Sequence, residues 1–591
     1  MSNPMAILAT LIAASVGSFY SNQSAFAESS RQPNVVVILT DDQGWGDLSV
    51  NGNTNLATPH IDSLARDGAT LQHFYVCQVC APTRAEFLTG RYHPRTGVSG
   101  VSRGDERLNY DETTIADLFH TGGYATGCFG KWHNGTQTPY HPNDRGFDEY
   151  YGFTEGHWGH YFSPPLDHNG KRVRGNGFVV DDFTDHAIAF IEDHRDRPFF
   201  CYVPLNTPHS PMMVPDSFYE KFDGAELQMR HREPKQEDIM MTRAALAMCE
   251  NIDWNVGRLL KTLDELKLRE NTIVIYFSDN GPNSYRWNGG MKGRKGSIDE
   301  GGLRSPFFIR WPKQIQVGIQ LPQIAGAIDL LPTLTEMAGV EANVEKPLDG
   351  RSLVPLLMGE PQTWEPRSLL AVNGKQVSVR TQQFRLDANG RLFDIESDPG
   401  QYTNVAEQHN ELTAQLLEQA KKHSQEMQLA FQANTSRPFT VGYGVSTSLP
   451  ARDGVEHGTI QRSAKAPNNS FFTHWTSADD SITWDIDVGT SGQYEAIVYY
   501  TCAAGDEGVT LRLAMEGGDS VQSKVVEVFN PPLYDKSKER VADSHYFVKD
   551  FKPLSLGTLS LQKGRGTLKL DALDIQDKRV VDVHSLDLIL R

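Results

Sequence analysis

The segment Pro33–Asp47, PNVVVILTDDQGWGD, carries the clearest indication of the fold. Its apolar run, Val35–Leu39, is continuous rather than alternating, which is typical of a strand buried on both faces of a parallel sheet. The run leads directly into a polar, glycine-containing loop that begins with Asp41 and Asp42. Open α/β sheets place their sites in such loops. The segment therefore predicts a central strand of an α/β domain, with functional residues at its carboxyl end.

Helical and apolar segments alternate over most of the chain that follows. In TPHIDSLARDG, Thr58 is a suitable helix cap, Pro59 suits the first helical position and Gly68 is a stop signal. The same kind of pattern predicts helices at 113–122, 186–194 and 238–268, and buried strands at 198–205 and 272–278. Strands that alternate with helices predict an α/β fold with a doubly wound, mostly parallel sheet, here over residues 33–435.

The pattern changes near Asn434. Residues 436–465 are polar and contain many Gly, Ser and Pro residues, so we predict a linker there. From residue 466 to 591, short segments with alternating apolar residues are separated by turn residues; SITWDIDV, residues 481–488, is one example. We therefore predict a second, all-β domain over 466–591, a two-sheet sandwich. Fold-level analogy suggests carbohydrate as its ligand.

Composition narrows the class of partner. The chain has 591 residues, of which 39% are hydrophobic, so it can bury sizeable cores. Its formal net charge is −18. Nucleic-acid binding needs a basic face, so this balance argues against a nucleic-acid partner.

The first 27 residues have the pattern of an export signal. An apolar run, Met5–Val16, is followed by Ala25-Phe26-Ala27, a cleavage pattern, although the segment before the run lacks Lys and Arg. A buried helix or a membrane anchor is the alternative, but the run is short for crossing a bilayer. No later segment is long and apolar enough to do so. We expect a signal peptide at 1–27, export to the periplasm or the medium, and no transmembrane segment.

Three acidic or amide pairs lie at or near the ends of apolar segments: Asp41-Asp42, Asp279-Asn280 and Asp181-Asp182. The first two follow buried strands directly, so their side chains can converge above one edge of the sheet. Such oxygen donors favour Ca²⁺ or Mg²⁺ over zinc. The alternative is that each pair only forms turns and caps. We retain the capping interpretation for the third pair, because it precedes a helix.

Cationic and histidine side chains recur where strands are predicted to lead into loops: Arg84, Lys131, His133, His209 and Lys295. Any one of them is as well explained by a surface charge or a structural histidine. Their joint occurrence at loop ends near a metal site indicates an anionic substrate, held by charge-assisted hydrogen bonds.

Cys77 and Cys80 have the spacing of a redox or zinc pair, but their context does not fit either. Zinc would require a second pair of ligands, and no C-x-x-C or H-x-x-x-H motif follows. In a thioredoxin-like pair a proline such as Pro82 would lie between the two cysteines, whereas here it lies outside them. Cys80 is instead to be considered together with Pro82 and Arg84.

The segment Cys80-Ala81-Pro82-Thr83-Arg84 resembles the C-x-P-x-R signature of the type I sulfatases, which belong to the alkaline phosphatase superfamily. The blocks TDDQGWGD, GKWH, NTPHSP, SDNG and KGSIDEGGLRSP resemble further blocks of that family in the same order. DLLPTLTEMAGV and LFDIESDPGQYTNVA resemble its distal half. The resemblance covers about residues 33–430 and leaves the C-terminal sandwich outside.

The resemblance implies a set of site residues. Cys80 would be oxidised to Cα-formylglycine by a formylglycine-generating enzyme during maturation. A divalent metal, usually Ca²⁺ with Mg²⁺ possible, would be bound by modified Cys80 together with Asp41, Asp42, Asp279 and Asn280. The sulfate and the proton transfers would be served by Arg84, Lys131, His133, His209 and Lys295.

The resemblance also implies a mechanism. The hydrated aldehyde has two hydroxyl groups, one to attack sulfur and a second to complete the reaction. Metal coordination would lower the pKa of the attacking hydroxyl, and Asp279 would accept its proton. His209 or Lys295 would protonate the leaving oxygen, and His133 would deprotonate the remaining hydroxyl.

The sequence therefore predicts an exported sulfuric ester hydrolase of the arylsulfatase type that acts on a sulfated small molecule or saccharide. A phosphonate monoester or phosphodiester hydrolase of the same superfamily is the alternative. An alternative of another class is a carbohydrate-binding protein with an inactive α/β domain, which the complete set of catalytic positions disfavours.

Overall fold

A computed structural model describes residues 32–359, 364–434, 437–542, 546–575 and 579–591. The predicted signal peptide, 1–27, lies outside the described residues. Residues 33–591 belong to one structural unit. Within the described residues, no helix combines the length and apolar character that a membrane crossing requires.

The segment PNVVVILTDDQGWGD begins with the central strand β1, as predicted. The main sheet has 11 strands in the order β11-β2-β10-β8-β1-β7-β3-β4-β5-β6, with β9 paired to β2. The central run β8-β1-β7-β3-β4 is entirely parallel. These strands are β1 (Asn34–Thr40), β2 (Ala69–Tyr75), β3 (Ala125–Lys131), β4 (Glu149–Phe153), β5 (Pro165–His168), β6 (Lys171–Arg174), β7 (Phe199–Pro204), β8 (Thr272–Ser278), β9 (Arg304–Ser305), β10 (Phe307–Arg310) and β11 (Ile319–Gly326).

Both faces of this sheet are covered, which explains the continuous apolar run in β1. Val36 and Ile38 pack into one core with helices α1, α4 and α6, whereas Val35, Val37 and Leu39 pack into a second core with α2, α3 and α8. The predicted doubly wound α/β architecture is confirmed. The helices are α1 (Pro59–Arg66), α2 (Cys80–Thr89), α3 (Ile115–Thr121), α4 (Val179–Asp193), α5 (Asp216–Tyr219), α6 (Ile239–Glu265), α7 (Glu300–Leu303), α8 (Leu330–Ala338), α9 (Val354–Leu357) and α10 (Asn410–Ala433).

A small antiparallel sheet extends the α/β part of the chain. It runs in the order β12-β13-β14-β15 and packs against the long helix α10 through its own apolar cluster. The strands are β12 (Leu369–Asn373), β13 (Gln376–Arg380), β14 (Phe384–Leu386) and β15 (Leu392–Asp394).

The C-terminal region folds into two six-stranded sheets that enclose one apolar core. The alternating residues Ile482, Trp484, Ile486 and Val488 all point into that core, as their period of two predicts. The strands are β16 (Phe439–Val441), β17 (Ser446–Pro450), β18 (Val455–His457), β19 (Gln461–Arg462), β20 (Phe472–Thr473), β21 (Ser481–Val488), β22 (Gly492–Thr501), β23 (Thr510–Met515), β24 (Ser520–Lys524), β25 (Lys552–Leu561), β26 (Gly564–Leu573) and β27 (Asp582–Leu590).

The structure differs from the predicted linker at 436–465. Four short strands, β16–β19, lie in this segment and belong to the two sheets: β16 pairs with β21, and β17 pairs with β27 over five residues. The segment is polar because these strands lie at the edges of the sheets, where a polar sequence with turn residues is tolerated. Low hydrophobicity therefore does not indicate a linker here.

Candidate active site

The candidate site lies at the carboxyl ends of β1 and β8, the two neighbouring strands at the centre of the sheet. Thr40 pairs with Ser278 at the last position of these strands, so Asp41 and Asp279 leave the sheet at the same level. The backbone amide of Asp41 donates to the carbonyl of Thr207, 3.1 Å away, just beyond β7. Three parallel strands thus deliver their following loops to one edge, which is where an open α/β sheet forms a crevice.

Four buried oxygen-bearing side chains meet at this edge: Asp41, Asp42, Asp279 and Asn280. Asn280 Nδ2 donates to Asp42 Oδ1 over 2.8 Å, and the amide of Asp42 donates to Asp279 Oδ1 over 3.2 Å. Asp42 has φ +68°, a left-handed conformation in which its amide faces Asp279 and its side chain faces Asn280. The convergence predicted from the two strand ends is thus present.

Two of these oxygens support a bound cation. Asp41 Oδ1 and Asn280 Oδ1 are buried and make no hydrogen bond, although buried polar atoms are normally satisfied. Ligand atoms of Asp41, Cys80 and Asp279 also lie within 4.8 Å of one another. Carboxylate and amide oxygens are the donors that hard divalent cations prefer, so this set fits Ca²⁺ or Mg²⁺.

Cys80 is the first residue of α2 and is buried beside the oxygen cluster. The Thr83 hydroxyl donates to the carbonyl of Asp279 over 2.6 Å and accepts from the amide of Cys77 over 2.8 Å, which ties the start of α2 to the end of β8. Pro82 lies in the first turn, where a missing N–H costs little. Burial raises the pKa of the Cys80 thiol, opposed by the charges of Lys131 and Lys295.

Each carboxylate of the cluster has a cationic partner of its own. Arg84 Nη2 lies 2.8 Å from Asp279 Oδ2, and Arg84 Nη1 donates to the carbonyl of Lys131 over 2.6 Å. Lys131 Nζ lies 2.5 Å from Asp41 Oδ2, and Lys295 Nζ lies 2.6 Å from Asp42 Oδ1. Buried charges are retained only when they are paired, so these three cations and three carboxylates support one another.

The electrostatics of the cluster follow from burial and these pairs. Burial and then the charge of Asp41 raise the pKa of Asp279 to about 6, although Arg84 opposes this. Burial also raises the pKa of Asp42, but Lys295 and His209 outweigh it, so that the pKa lies below its usual range. Asp279 and Asp42 are therefore shifted in opposite directions by their surroundings.

His133 lies two residues beyond the end of β3 and is buried. Its Nε2 lies 2.9 Å from the carbonyl of Val101, and a carbonyl only accepts, so Nε2 carries the ring proton. Its Nδ1 is buried and has no hydrogen-bond partner. Burial, followed by the charge of Lys131, holds the pKa of His133 well below its usual range. His133 is therefore a neutral imidazole with an unshared lone pair on Nδ1.

His209 adjoins the cluster on the side of Asp42. Its Nδ1 lies 2.7 Å from the carbonyl of Ser210, and its Nε2 lies 3.7 Å from Asp42 Oδ2. Burial and the nearby charge of Lys295 lower the pKa of His209 to about 3. The ring of His157 lies face to face with that of His209, with centroids 5.8 Å apart.

Some residues considered from the sequence lie elsewhere. Asp181 lies in the first turn of α4 and accepts from Asn251 and Asn255, outside the oxygen cluster. No disulfide joins Cys77 to Cys80; Cys77 is buried against Glu86, and burial raises the pKa of its thiol well above the usual range.

Sequence reasoning missed four residues near the site: His157, Asn206, Asn468 and Tyr546. Asn206 is the first residue of the block NTPHSP, so the sequence offered a signal for it. Both polar atoms of its buried side chain lack a hydrogen-bond partner. His157 belongs to the loop after β4. Asn468 and Tyr546 come from the C-terminal region, where no local motif marks them.

Comparison with known proteins identifies the same part of the chain. The family model described as Sulfatase matches residues 33–340, and the model described as N-sulphoglucosamine sulphohydrolase, C-terminal, matches 294–428. The steryl-sulfatase of Mus musculus is 30% identical over 464 residues, which cover 62% of this chain and 72% of that protein. The N-acetylgalactosamine-6-sulfatase of Mus musculus is 30% identical over 374 residues, 56% of this chain and 67% of that protein.

A solved structure is similar over the same region. The crystal structure of Ps i-CgsB in complex with k-i-k-neocarrahexaose superimposes with a TM-score of 0.62 and 29% sequence identity. The match covers 68% of this chain and 94% of that one.

Proposed function

The chain belongs to the sulfatase family and hydrolyses sulfate esters, and we propose that it does so on sulfated saccharides, with a nucleophile formed from Cys80. The family in general uses a metal and a formylglycine residue. The observation that carries the proposal is the placement of Cys80 at the start of α2, between the oxygen cluster and the cations Lys131 and Lys295. Two relatives support the saccharide class. One is named N-acetylgalactosamine-6-sulfatase, and the other was solved in complex with k-i-k-neocarrahexaose.

The metal is proposed to be Ca²⁺, with Mg²⁺ as the alternative. Asp41, Asp42, Asp279 and Asn280 would hold it together with modified residue 80, since two oxygens of this set are otherwise unsatisfied. When bound, it supplies a positive charge that polarises the sulfate ester and lowers the pKa of the nucleophile. The formylglycine at position 80 would come from a formylglycine-generating enzyme, and export would follow from the pattern at residues 1–27.

Arg84, Lys131 and Lys295 are proposed to stabilise the negative charge of the transferring sulfuryl group. All three are fixed by ion pairs to the oxygen cluster, at 2.8 Å or less. Cations held in place before the reaction need no reorganisation when charge develops, which makes them effective in a buried site. Asp279 is proposed to accept the proton of the attacking hydroxyl, since its carboxylate lies within 4.8 Å of the sulfur of Cys80.

The two histidines are proposed to serve different steps. His133 has its only lone pair on Nδ1, so it is suited to accept a proton in the step that releases inorganic sulfate. His209 lies beside Asp42, the carboxylate that Lys295 also contacts, so both groups border the same side of the oxygen cluster. His209 or Lys295 would protonate the leaving oxygen. Because the lowered pKa of His209 leaves its ring neutral in the free enzyme, His209 would take up its proton from solvent when the anionic substrate binds.

A phosphonate or phosphodiester hydrolase is less well supported, because the relatives above are sulfatases. A panel of sulfated mono- and polysaccharides, aryl sulfate, aryl phosphonate and aryl phosphodiester tests the choice. Free sulfate is the readout for the three kinds of sulfate ester in the panel. Sulfate release from at least one saccharide is expected to exceed any phosphonate or phosphodiester turnover. The reverse order would contradict the proposed substrate class.

His209→Ala is expected to distinguish leaving groups. A sugar alkoxide is a strong base and leaves poorly without an acid, whereas nitrophenolate leaves readily. The variant should therefore lose about 10²–10⁴-fold in kcat/KM on a sugar sulfate and far less on nitrophenyl sulfate. Equal losses on both substrates would indicate that His209 binds the sulfate group in both the ground state and the transition state. The role of acid would then belong to Lys295.

A further inference from the structure

The C-terminal sandwich reaches the two histidines of the active site. The matched family models end at residue 428, yet Asn468 and Tyr546 both lie next to loops of the α/β part that carry or support these histidines. Asn468 belongs to a short helical turn, Pro467–Asn469, between β19 and β20. Tyr546 belongs to the connection between β24 and β25.

Asn468 shares a hydrogen-bond acceptor with His133. Asn468 Nδ2 donates to the carbonyl of Val101 over 3.2 Å, and His133 Nε2 donates to the same oxygen over 2.9 Å. The two donors are packed tightly together, since a Cβ placed on Gly156 would lie 2.5 Å from both nitrogens. Both side chains are at least nine-tenths buried. A carbonyl oxygen has two lone pairs, so the two donors together fix the position of the Val101 carbonyl.

That carbonyl determines which nitrogen of His133 carries the proton. With Nε2–H directed at Val101, the lone pair must be on Nδ1. A Val101 carbonyl free to move would allow the His133 ring to rotate, and the lone pair would then lose its direction. Asn468 is therefore placed to act through Val101 on the orientation of His133.

Tyr546 supports the second histidine through an intermediate ring. Its ring contacts His157 edge to face with a centroid distance of 4.9 Å, and His157 in turn lies 5.8 Å from His209, nearly parallel to it. Both Tyr546 and His157 are buried. Since interiors are close-packed, a void at Tyr546 would let His157 and then His209 shift.

The sandwich is held firmly enough to serve this purpose. Arg452, which is 1% exposed, lies 3.2 Å from Asp453 within the sandwich and 3.6 Å and 3.8 Å from Glu155 and Glu106 of the α/β part. Arg540 forms an ion pair with Asp216, and its amide donates to the carbonyl of Met212. The buried contacts of Arg452 fix the relative placement of their partners, because breaking one leaves an uncompensated charge.

We propose that Asn468 and Tyr546 are positioning residues of the active site, through which the C-terminal sandwich orients His133 and His209, respectively. The inference rests on the roles proposed above for these two histidines. It assigns the sandwich a part in catalysis, in addition to any part in binding carbohydrate. Because the two histidines serve different steps, the two positioning residues are distinguishable by kinetics.

His133→Ala should slow the release of sulfate and leave the earlier steps unchanged, and Asn468→Ala is expected to show the same pattern to a smaller extent. Only the release of sulfate is slowed, so on nitrophenyl sulfate kcat should fall by roughly 10-fold, while kcat/KM, which reports the earlier steps, stays within about twofold. KM should fall together with kcat, and nitrophenolate should appear in a burst before the steady state. The shift in melting temperature caused by inorganic sulfate should be unchanged, because Arg84, Lys131 and Lys295 are untouched.

Tyr546→Leu is expected to reproduce a weaker form of His209→Ala. Its kcat/KM should fall by roughly 10-fold on a sugar sulfate and stay within about twofold on nitrophenyl sulfate. A general loosening of the protein would lower both to the same extent.

Matched controls lie in the same two segments. Asn469 is the next residue to Asn468 and packs beside Gly159, and Tyr534 contacts His160 edge to face at 5.3 Å, so neither contacts the support of a catalytic histidine. Asn469→Ala and Tyr534→Leu should change neither kinetic ratio, and the melting temperature of all four variants monitors folding.

Two kinds of result would overturn the inference. If His133→Ala and His209→Ala show their expected patterns but the sandwich variants lower all parameters equally or none, the positioning role is wrong and the proposed function stands. If the histidine variants themselves lack these patterns, the roles given to them fail, and the inference fails with them.

Asn468→Gln retains the amide donor, so its kcat should lie closer to that of the wild type than the kcat of Asn468→Ala.

Discussion

Cys80→Ser is expected to lower kcat by about 10⁵-fold, the scale on which enzymes lose rate when a covalent nucleophile is removed. A serine has one hydroxyl, so after it has accepted the sulfuryl group no second hydroxyl remains to expel sulfate. The variant should fold normally, because residue 80 starts α2 and the anchoring contacts of that helix come from Thr83 and Arg84. Sulfate release in multiple-turnover assays measures the loss, and thermal melting measures folding.

Cys77→Ser is the matched control for this prediction. Cys77 is buried three residues earlier, and burial together with Glu86 raises the pKa of its thiol well above the usual range, so the thiol is unreactive. This variant should keep kcat within a few fold of the wild type. If Cys77→Ser lost activity while Cys80→Ser kept it, the choice between the two cysteines would be reversed.

Asp41→Asn is expected to lower kcat/KM by about 10³-fold, because the lost carboxylate charge weakens metal binding and so removes several kcal/mol of stabilisation of the developing charge. Asparagine is preferred to alanine here because Lys131 is buried 2.5 Å from Asp41 Oδ2. Alanine would leave this ammonium group without any partner, and a buried unpaired charge typically costs about 3–5 kcal/mol of stability. The metal content should fall together with the activity.

Asp181→Asn is the control, since Asp181 belongs to a similar acidic pair but bonds to Asn251 and Asn255 away from the cluster. It should retain both metal and activity. In the wild type, elemental analysis should find about one Ca²⁺ or Mg²⁺ per chain, and chelation should abolish activity that the same ion restores. Stoichiometric zinc, or full activity after chelation, would contradict the proposed metal site.

Much of this site was predictable because it is built from strand ends. A continuous apolar run such as Val35–Leu39 indicates a buried parallel strand, and neighbouring parallel strands bring their next residues to one edge of the sheet. Asp41 and Asp279 could therefore be placed together from the sequence. The parallel pairing of β1 with β8, in which Thr40 lies opposite Ser278, confirms that the two aspartates leave the sheet at the same edge.

Other features could not be predicted, because they depend on contacts between distant segments. Asn468 meets Val101 across 367 positions of sequence, and no periodicity or motif encodes such a contact. The segment 436–465 was predicted as a linker because polarity and turn residues mark exposed strands at sheet edges as well as linkers. The boundaries of the two domains stay a prediction. Arg452, which lies in the predicted linker, forms ion pairs with the α/β part.

The central claim is that residue 80 carries the nucleophile as formylglycine. The most direct test is peptide mass spectrometry of residue 80 in enzyme produced with a formylglycine-generating enzyme, combined with the specific activity of the same samples on nitrophenyl sulfate. We predict that the peptide has the mass of the aldehyde or its hydrate, and that specific activity rises in proportion to the converted fraction. Fully active protein in which residue 80 is only unmodified cysteine would contradict the account.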